Sequence, residues 1–174
     1  MFFIESQRLK LIPLTNQLLQ LCQSDRREME LLLGLNPSSM EIDPLYATEL
    51  EDALLHFWIP KTQEFPMLYY WYTNWEIVLK STNTSIGGIG FVGYPNEKKE
   101  AEIGYMIDAN EQGKGYATEA LKTLSAWAFQ QKDVDSVIVR TAHDNIASIK
   151  ILDKNGFRLV SKVDDLLTYY LPKQ

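Results

Sequence analysis

The residues whose spacing carries the most chemistry are Gln112-Gly113-Lys114-Gly115-Tyr116-Ala117, set between a strand-like run, Glu102 to Asp108, and a helical repeat. Two glycines let the backbone turn sharply and let a ligand approach where no Cβ intervenes. A helix starting here presents N–H groups without intrahelical partners and the positive end of its dipole. Together these features make a nest for a phosphate or pyrophosphate, to which Lys114 can add a full charge. The same spacing also fits an ordinary glycine entry to a helix. Two better-known phosphate loops are excluded. There is no G-x-x-x-x-G-K-[ST], and Thr118 stands where G-x-G-x-x-G needs its third glycine.

Other reactive side chains are few. Cys22, the single cysteine, falls in an apolar helical repeat and reads as a small buried hydrophobe. With two histidines, His56 and His143, far from it and from each other, no metal-ligand cluster is visible and no metal is expected. His143 reads as a solvated loop residue. Eight aromatic residues lie between Phe57 and Trp75. They can pack a core, or some can wall a pocket for an apolar or cationic amine through ring-face attraction.

The elements that would position these groups can be read in order. Alternation from Arg8 to Pro13 predicts a strand. Thr15 can cap one short helix, and Ser24 or Asp25 a second that Gly34 stops. Helical spacing resumes near Leu45 with Leu50, Ala53, Leu54 and Phe57 on one face, and Pro60 is expected to end or bend that helix. Trp75–Lys80 and Ile86–Val92 read as an antiparallel hairpin around Ser81–Thr84. Gly87, Gly88, Gly90 and Gly93 make its second strand smooth, which often marks the close passage of another backbone. In the strand at Glu102, parity puts Glu102, Gly104, Met106 and Asp108 on one face and Ile103, Tyr105 and Ile107 on the other. After the loop come an amphipathic helix through Ala117, Leu121 and Leu124, a buried strand at Ser136–Ala142, and a helix capped by Asn145 and stopped by Gly156. Two final strands, Phe157–Lys162 and Leu166–Leu171, close the chain. The reading is one mixed α/β (α+β) domain over residues 1–174, with helices flanking a central sheet.

Composition bounds the partners. With 174 residues and 45% hydrophobic content, the chain can bury a core of its own. No stretch approaches the roughly 20 apolar residues of a membrane span, and the N-terminus lacks a secretory pattern. A cytoplasmic location is expected, with no membrane partner. A net charge of −6 argues against nucleic acid and is compatible with a cationic substrate.

Gln112-x-x-Gly115-x-Ala117 resembles the Q/R-x-x-G-x-G/A signature with which GNAT N-acetyltransferases hold the pyrophosphate of acetyl-CoA. Glu102-Ile103-Gly104-Tyr105 before it and Ala117-Thr118-Glu119-Ala120 after it resemble the RimJ/RimL-type branch. So do Asn145-x-x-Ser148 with Lys154-Asn155-Gly156-Phe157 downstream, and Gln7-Arg8-Leu9-Lys10-Leu11 upstream. The resemblance implies the GNAT acyl-CoA N-acyltransferase fold, a twisted, mixed, mostly antiparallel sheet flanked by helices. It implies acetyl-CoA as cosubstrate and an acceptor that is a primary amine, on a peptide N-terminus or a small molecule. GNAT proteins often dimerise, and the smooth strand or the C-terminal strand pair could serve a homodimer.

Carried over residue by residue, the backbone of Met106 and Ile107 should pair with the pantetheine arm. Gln112, Gly113, Lys114, Gly115, Tyr116, Ala117 and Thr118 should hold the pyrophosphate, and Asn145 a pantetheine amide. Acetyl transfer needs a deprotonated amine, a donor to the carbonyl oxygen and a proton for the departing thiolate. Glu102 is the candidate proton acceptor, directly or through water; the alternative is a structural carboxylate paired with Lys99 or Arg140. For the thiolate, the tyrosine many GNAT proteins use is replaced by Leu152. The resemblance then points to Ser148, with Tyr105 as a further candidate; Ser148 could instead bond backbone or the pantetheine arm. The missing tyrosine keeps a second function open, a non-catalytic acyl-CoA-binding sensor or regulatory module.

Overall fold

The computed structural model describes residues 1–174. Eight strands form one sheet: β1 (Ile4–Glu5), β2 (Leu9–Pro13), β3 (Asn74–Leu79), β4 (Thr84–Phe91), β5 (Glu100–Ile107), β6 (Ser136–Ala142), β7 (Arg158–Val163) and β8 (Leu166–Pro172). Their order is β1-β2-β3-β4-β5-β6-β8-β7. Every neighbouring pair is antiparallel except β5 and β6, which run parallel. The helices are α1 (Asn16–Ser24), α2 (Arg26–Leu32), α3 (Pro44–Ala53), α4 (Ile59–Glu64), α5 (Tyr116–Ala128) and α6 (Ile146–Lys154). None of them is long and apolar enough to cross a membrane.

Local chemistry explains most boundaries. Thr15 accepts from the Leu18 amide and Asp25 from the Glu28 amide, so each side chain satisfies an otherwise orphaned donor at the start of α1 or α2. Asn145 Oδ1 does the same for the Ser148 amide at the start of α6. Of the two outcomes expected at Pro60, an end to the helix is not met. Helical winding continues from α3 through a π turn, Leu54–Trp58, straight into α4. The proline lacks an N–H and its ring crowds the preceding turn. One wider turn, in which the Ile59 amide reaches back to Leu54 O, accommodates it without breaking the chain of helices.

The sheet buries both faces unequally. On one side Ile103, Ile77, Leu9 and Leu11 pack with Leu121 and Leu124 of α5 in the main core. On the other, Ile12, Val78, Leu19, Met29 and Leu33 make a smaller core under α1 and α2. The aromatic segment mostly serves the first core: Trp71 and Trp75 are buried there against Phe91 and Trp127.

The feature that positions the site is a parting of strands. β5 and β6 pair only where Glu100–Glu102 face Ser136–Ile138, whereas β5 stays paired with β4 through Ile107. Beyond Glu102 the edge of β5 that faces β6 therefore has no strand against it.

Candidate active site

The gap between β5 and β6 opens toward the glycine loop and the N-terminus of α5. Gly113 and Gly115 both have left-handed backbones, φ 77° and 83°, which turn the chain into the helix. Gly115 is the N-cap residue and no side chain caps α5, so the first amides of the helix remain available to an anion. Gln112 reaches back from the loop to donate its Nε2–H to Ile107 O at 3.2 Å. Lys114 is tied to Glu111 at 2.8 Å, so its charge is locally balanced.

The loop is held from outside by a residue that sequence reading placed only in an opening strand. Arg8 donates from Nε to Glu119 Oε2 at 2.6 Å and from NH1 to Lys114 O at 3.0 Å, and its guanidinium lies 4.6 Å from the centre of the Tyr116 ring. Its backbone amide and the Ser6 hydroxyl both donate to Glu119 Oε1. Burial alone would raise the Glu119 carboxyl, but the Ser6 hydroxyl and the Arg8 amide and guanidinium outweigh it and hold it below the ordinary value. The signal was present in Arg8 and Glu119 themselves, but nothing local links residues 111 positions apart.

Along β5, the Val92 amide donates to Glu102 O and the Asp108 amide to Ile86 O. In an antiparallel ladder this alternation turns the backbone of even-numbered residues toward β4. Odd-numbered Ile103, Tyr105 and Ile107 present theirs to the gap. The Ile107 backbone therefore faces the gap, while the Met106 backbone, expected beside it, faces β4 and its side chain lines a cavity on the far side of the sheet.

Two hydroxyls meet at the gap. Tyr105 Oη and Ser148 Oγ are 2.8 Å apart, linking β5 to the first turn of α6. Burial pushes the Tyr105 phenol up, partly offset by its hydrogen bond with Ser148. The pair stays protonated near neutrality. Leu152, in the position where many such sites hold a tyrosine, is fully buried in the core. His143 is exposed, 3.4 Å from Asp165.

Glu102 shares its sheet face with Met106, as parity requires, but its carboxylate is ion-paired with Arg140. The two sit in a shallow hollow of about 180 Å³ with Tyr94, Asn96 and Ile138. The larger cavity, about 400 Å³, lies between the sheet and α1, α3 and the π turn. Met106, Gly87 and Gly88 form its floor with Asn74 and Glu76, and Trp58 alone of the eight aromatic residues reaches it. Sequence reading missed Asn74, Glu76 and Arg26 there; a polar residue inside a strand gives no sign of what it faces.

The acetyltransferase (GNAT) domain profile matches residues 18–158. The chain belongs to the GNAT acetyltransferase family. It is 38% identical over 91 residues to the uncharacterized N-acetyltransferase YjdG of Bacillus subtilis, covering 52% of this chain and 54% of that protein. It is 34% identical over 74 residues to the ribosomal-protein-serine acetyltransferase of Escherichia coli, covering 42% and 41%. The aligned parts thus span about half the length of these curated relatives or less. Among solved structures, RimL, a ribosomal L7/L12 alpha-N-protein acetyltransferase in complex with coenzyme A, superposes with a TM-score of 0.66 at 20% identity, over 98% of each chain. A GNAT-family acetyltransferase from Bacillus anthracis does so with 0.64 at 18%, over 99% of each. The expected GNAT fold and RimJ/RimL-like kinship are thereby met.

Proposed function

We propose that the protein transfers the acetyl group of acetyl-CoA to a primary amine, by direct attack within a ternary complex. The observation that carries this reading is the unpaired edge of β5, ending at a helix N-terminus entered through two left-handed glycines. An extended pantetheine arm can pair with the Tyr105 and Ile107 backbone as an added strand. Gln112 and the amides from Gly113 to Thr118 would receive the pyrophosphate, with Arg8 bracing the loop behind them. Asn145 caps α6 beside the same gap.

In the reaction the amine nitrogen bonds to the thioester carbonyl carbon, the C–S bond breaks, and the nitrogen gives up a proton. Ser148, hydrogen-bonded to Tyr105, is the group that returns a proton to the thiolate. That pair supports turnover over the sensor reading, since it supplies the hydroxyl that Leu152 lacks. Glu102 is the proton acceptor on this face of β5. Its carboxylate is held by Arg140, so the proton reaches it through water rather than by direct contact. The acceptor class is a protein N-terminus, as the name of RimL suggests, or a small-molecule amine.

Release of coenzyme A thiol from acetyl-CoA, measured against peptides, polyamines and alkylamines, tests the reading. Transfer to at least one amine is expected, and Glu102→Gln should lower it while acetyl-CoA binding persists. Acetyl-CoA binding with no transfer to any amine would favour the sensor.

A further inference from the structure

The 400 Å³ cavity has a polar end whose chemistry is fixed by its neighbours. Glu76 is 1% exposed and accepts from Arg26 NH2 at 2.8 Å, from the Ser85 hydroxyl, and from Asn74 Nδ2 at 2.9 Å. A carboxylate so placed only accepts, so the amide nitrogen of Asn74 must face it and the amide oxygen must face away. That oxygen hangs over Gly88: a Cβ there would stand 2.3 Å from Asn74 Oδ1. No protein donor satisfies Oδ1, and both residues line the cavity. In the sheet, Glu76 is in register with Gly88, and Gly88 with Met106. The polar end therefore abuts β5, the strand whose other edge borders the gap.

Charge at this end favours a cation. Arg26 is matched by two buried carboxylates, Glu76 and Glu30, the latter 3.3 Å from its Nε but out of line for a hydrogen bond. Glu51, on the α3 wall, has no cationic partner. The rest of the lining is largely apolar, 11 of 18 residues being hydrophobic, with Leu50, Leu54 and Trp58 among them. Such walls suit hydrocarbon and offer little to a second charge or to a peptide backbone.

We infer that the cavity takes a primary amine carried on an apolar body, and that Asn74 Oδ1, oriented by Glu76 and Arg26, is the acceptor that positions its nitrogen. The inference rests on the transferase reading above and names its substrate class. Asn74 is a positioning residue: it aims the nitrogen, and the proton leaves by another route.

The test uses the full chain with n-hexylamine and 2-phenylethylamine against spermidine and a serine-initiated tetrapeptide. The apolar amines should show the lower KM. Asn74→Leu, close in shape but without the oxygen, should raise the KM for hexylamine about 10- to 100-fold, the range for a hydrogen bond to a charged group. The KM for acetyl-CoA should not move, which separates positioning from general damage. Preference for spermidine or the peptide, or an unmoved hexylamine KM in Asn74→Leu, overturns the inference. If Asn74→Leu fails to fold, Leu50→Arg decides. α3 buries none of its side chains, so the charge enters the cavity wall without opening a core. Loss of hexylamine acetylation with acetyl-CoA binding intact by calorimetry supports the inference, and full activity overturns it. Should no amine be acetylated although acetyl-CoA binds, the transferase reading fails separately. Calorimetry of hexylamine on the coenzyme A-bound protein then judges the cavity: binding abolished by Leu50→Arg supports it, and no binding overturns it.

Discussion

Ser148 and Tyr105 illustrate how one residue's role is completed by another. A serine hydroxyl alone is a poor proton donor, but in the proposed role Tyr105, 2.8 Å away, would orient it and replace the proton it gives. Ser148→Ala is expected to lower kcat about 100-fold, the lower range for loss of a general acid, with the KM for acetyl-CoA nearly unchanged. Tyr105→Phe should lower kcat less, and steady-state kinetics will separate the two. Glu119 makes a different prediction, about pH. Its folded carboxyl titrates below the ordinary value near 4.5, so the unfolded chain binds the proton more readily. The stabilisation is present in full above that value and is lost as pH falls through the lower, folded one. Unfolding by urea between pH 3 and 6 should show stability falling on acidification. In Glu119→Gln the protein should be less stable at pH 7 and the fall should be shallower.

At the scale of elements, the loop and α5 work as a unit because backbone conformation, not side-chain identity, would open the proposed anion nest. Gly115 at φ 83° is its hinge, and a Cβ there would also come within 3.4 Å of Arg8 NH2. Gly115→Ala should therefore cost about 1–2 kcal/mol from the left-handed backbone alone. It should also weaken acetyl-CoA binding, since an alanine resists the left-handed turn that leads into α5; denaturant titration and calorimetry read the two effects separately. The π turn at Leu54–Trp58 is a second such device. It lets Pro60 stay within continuous helical winding, and Leu54 and Trp58 of that turn face the cavity.

For the whole molecule, the two faces of the sheet divide the labour. The α5 side holds the large core, and the other side holds the smaller core and the cavity. Two proposed binding regions, the gap and the cavity, on either side of β5 suit a reaction in which two substrates meet. Acetyl-CoA should stabilise the fold through linkage. At a concentration one hundred times Kd the gain is about 2.7 kcal/mol, which corresponds to a rise in Tm of roughly 5–11 °C for a domain of this size. Scanning calorimetry with and without the ligand checks it, and an unmoved Tm would remove acetyl-CoA from the account.

What the sequence determined by itself is local and periodic. Strand alternation, helical repeats, Thr15, Asp25 and Asn145 as caps, and the glycine loop depend on residues within about four positions of one another. Each is where that chemistry required. The parity of β5 also followed from the sequence, so Glu102 and Met106 share a face. Only the tertiary structure decided what that face meets. Arg140, 38 positions away, claims Glu102; Arg8 crosses 111 positions to Glu119; and Arg26 crosses 50 to lock Glu76 and, through it, the amide of Asn74. Each contact depends on which strands are neighbours and in what register, and a side chain's own identity carries no record of that.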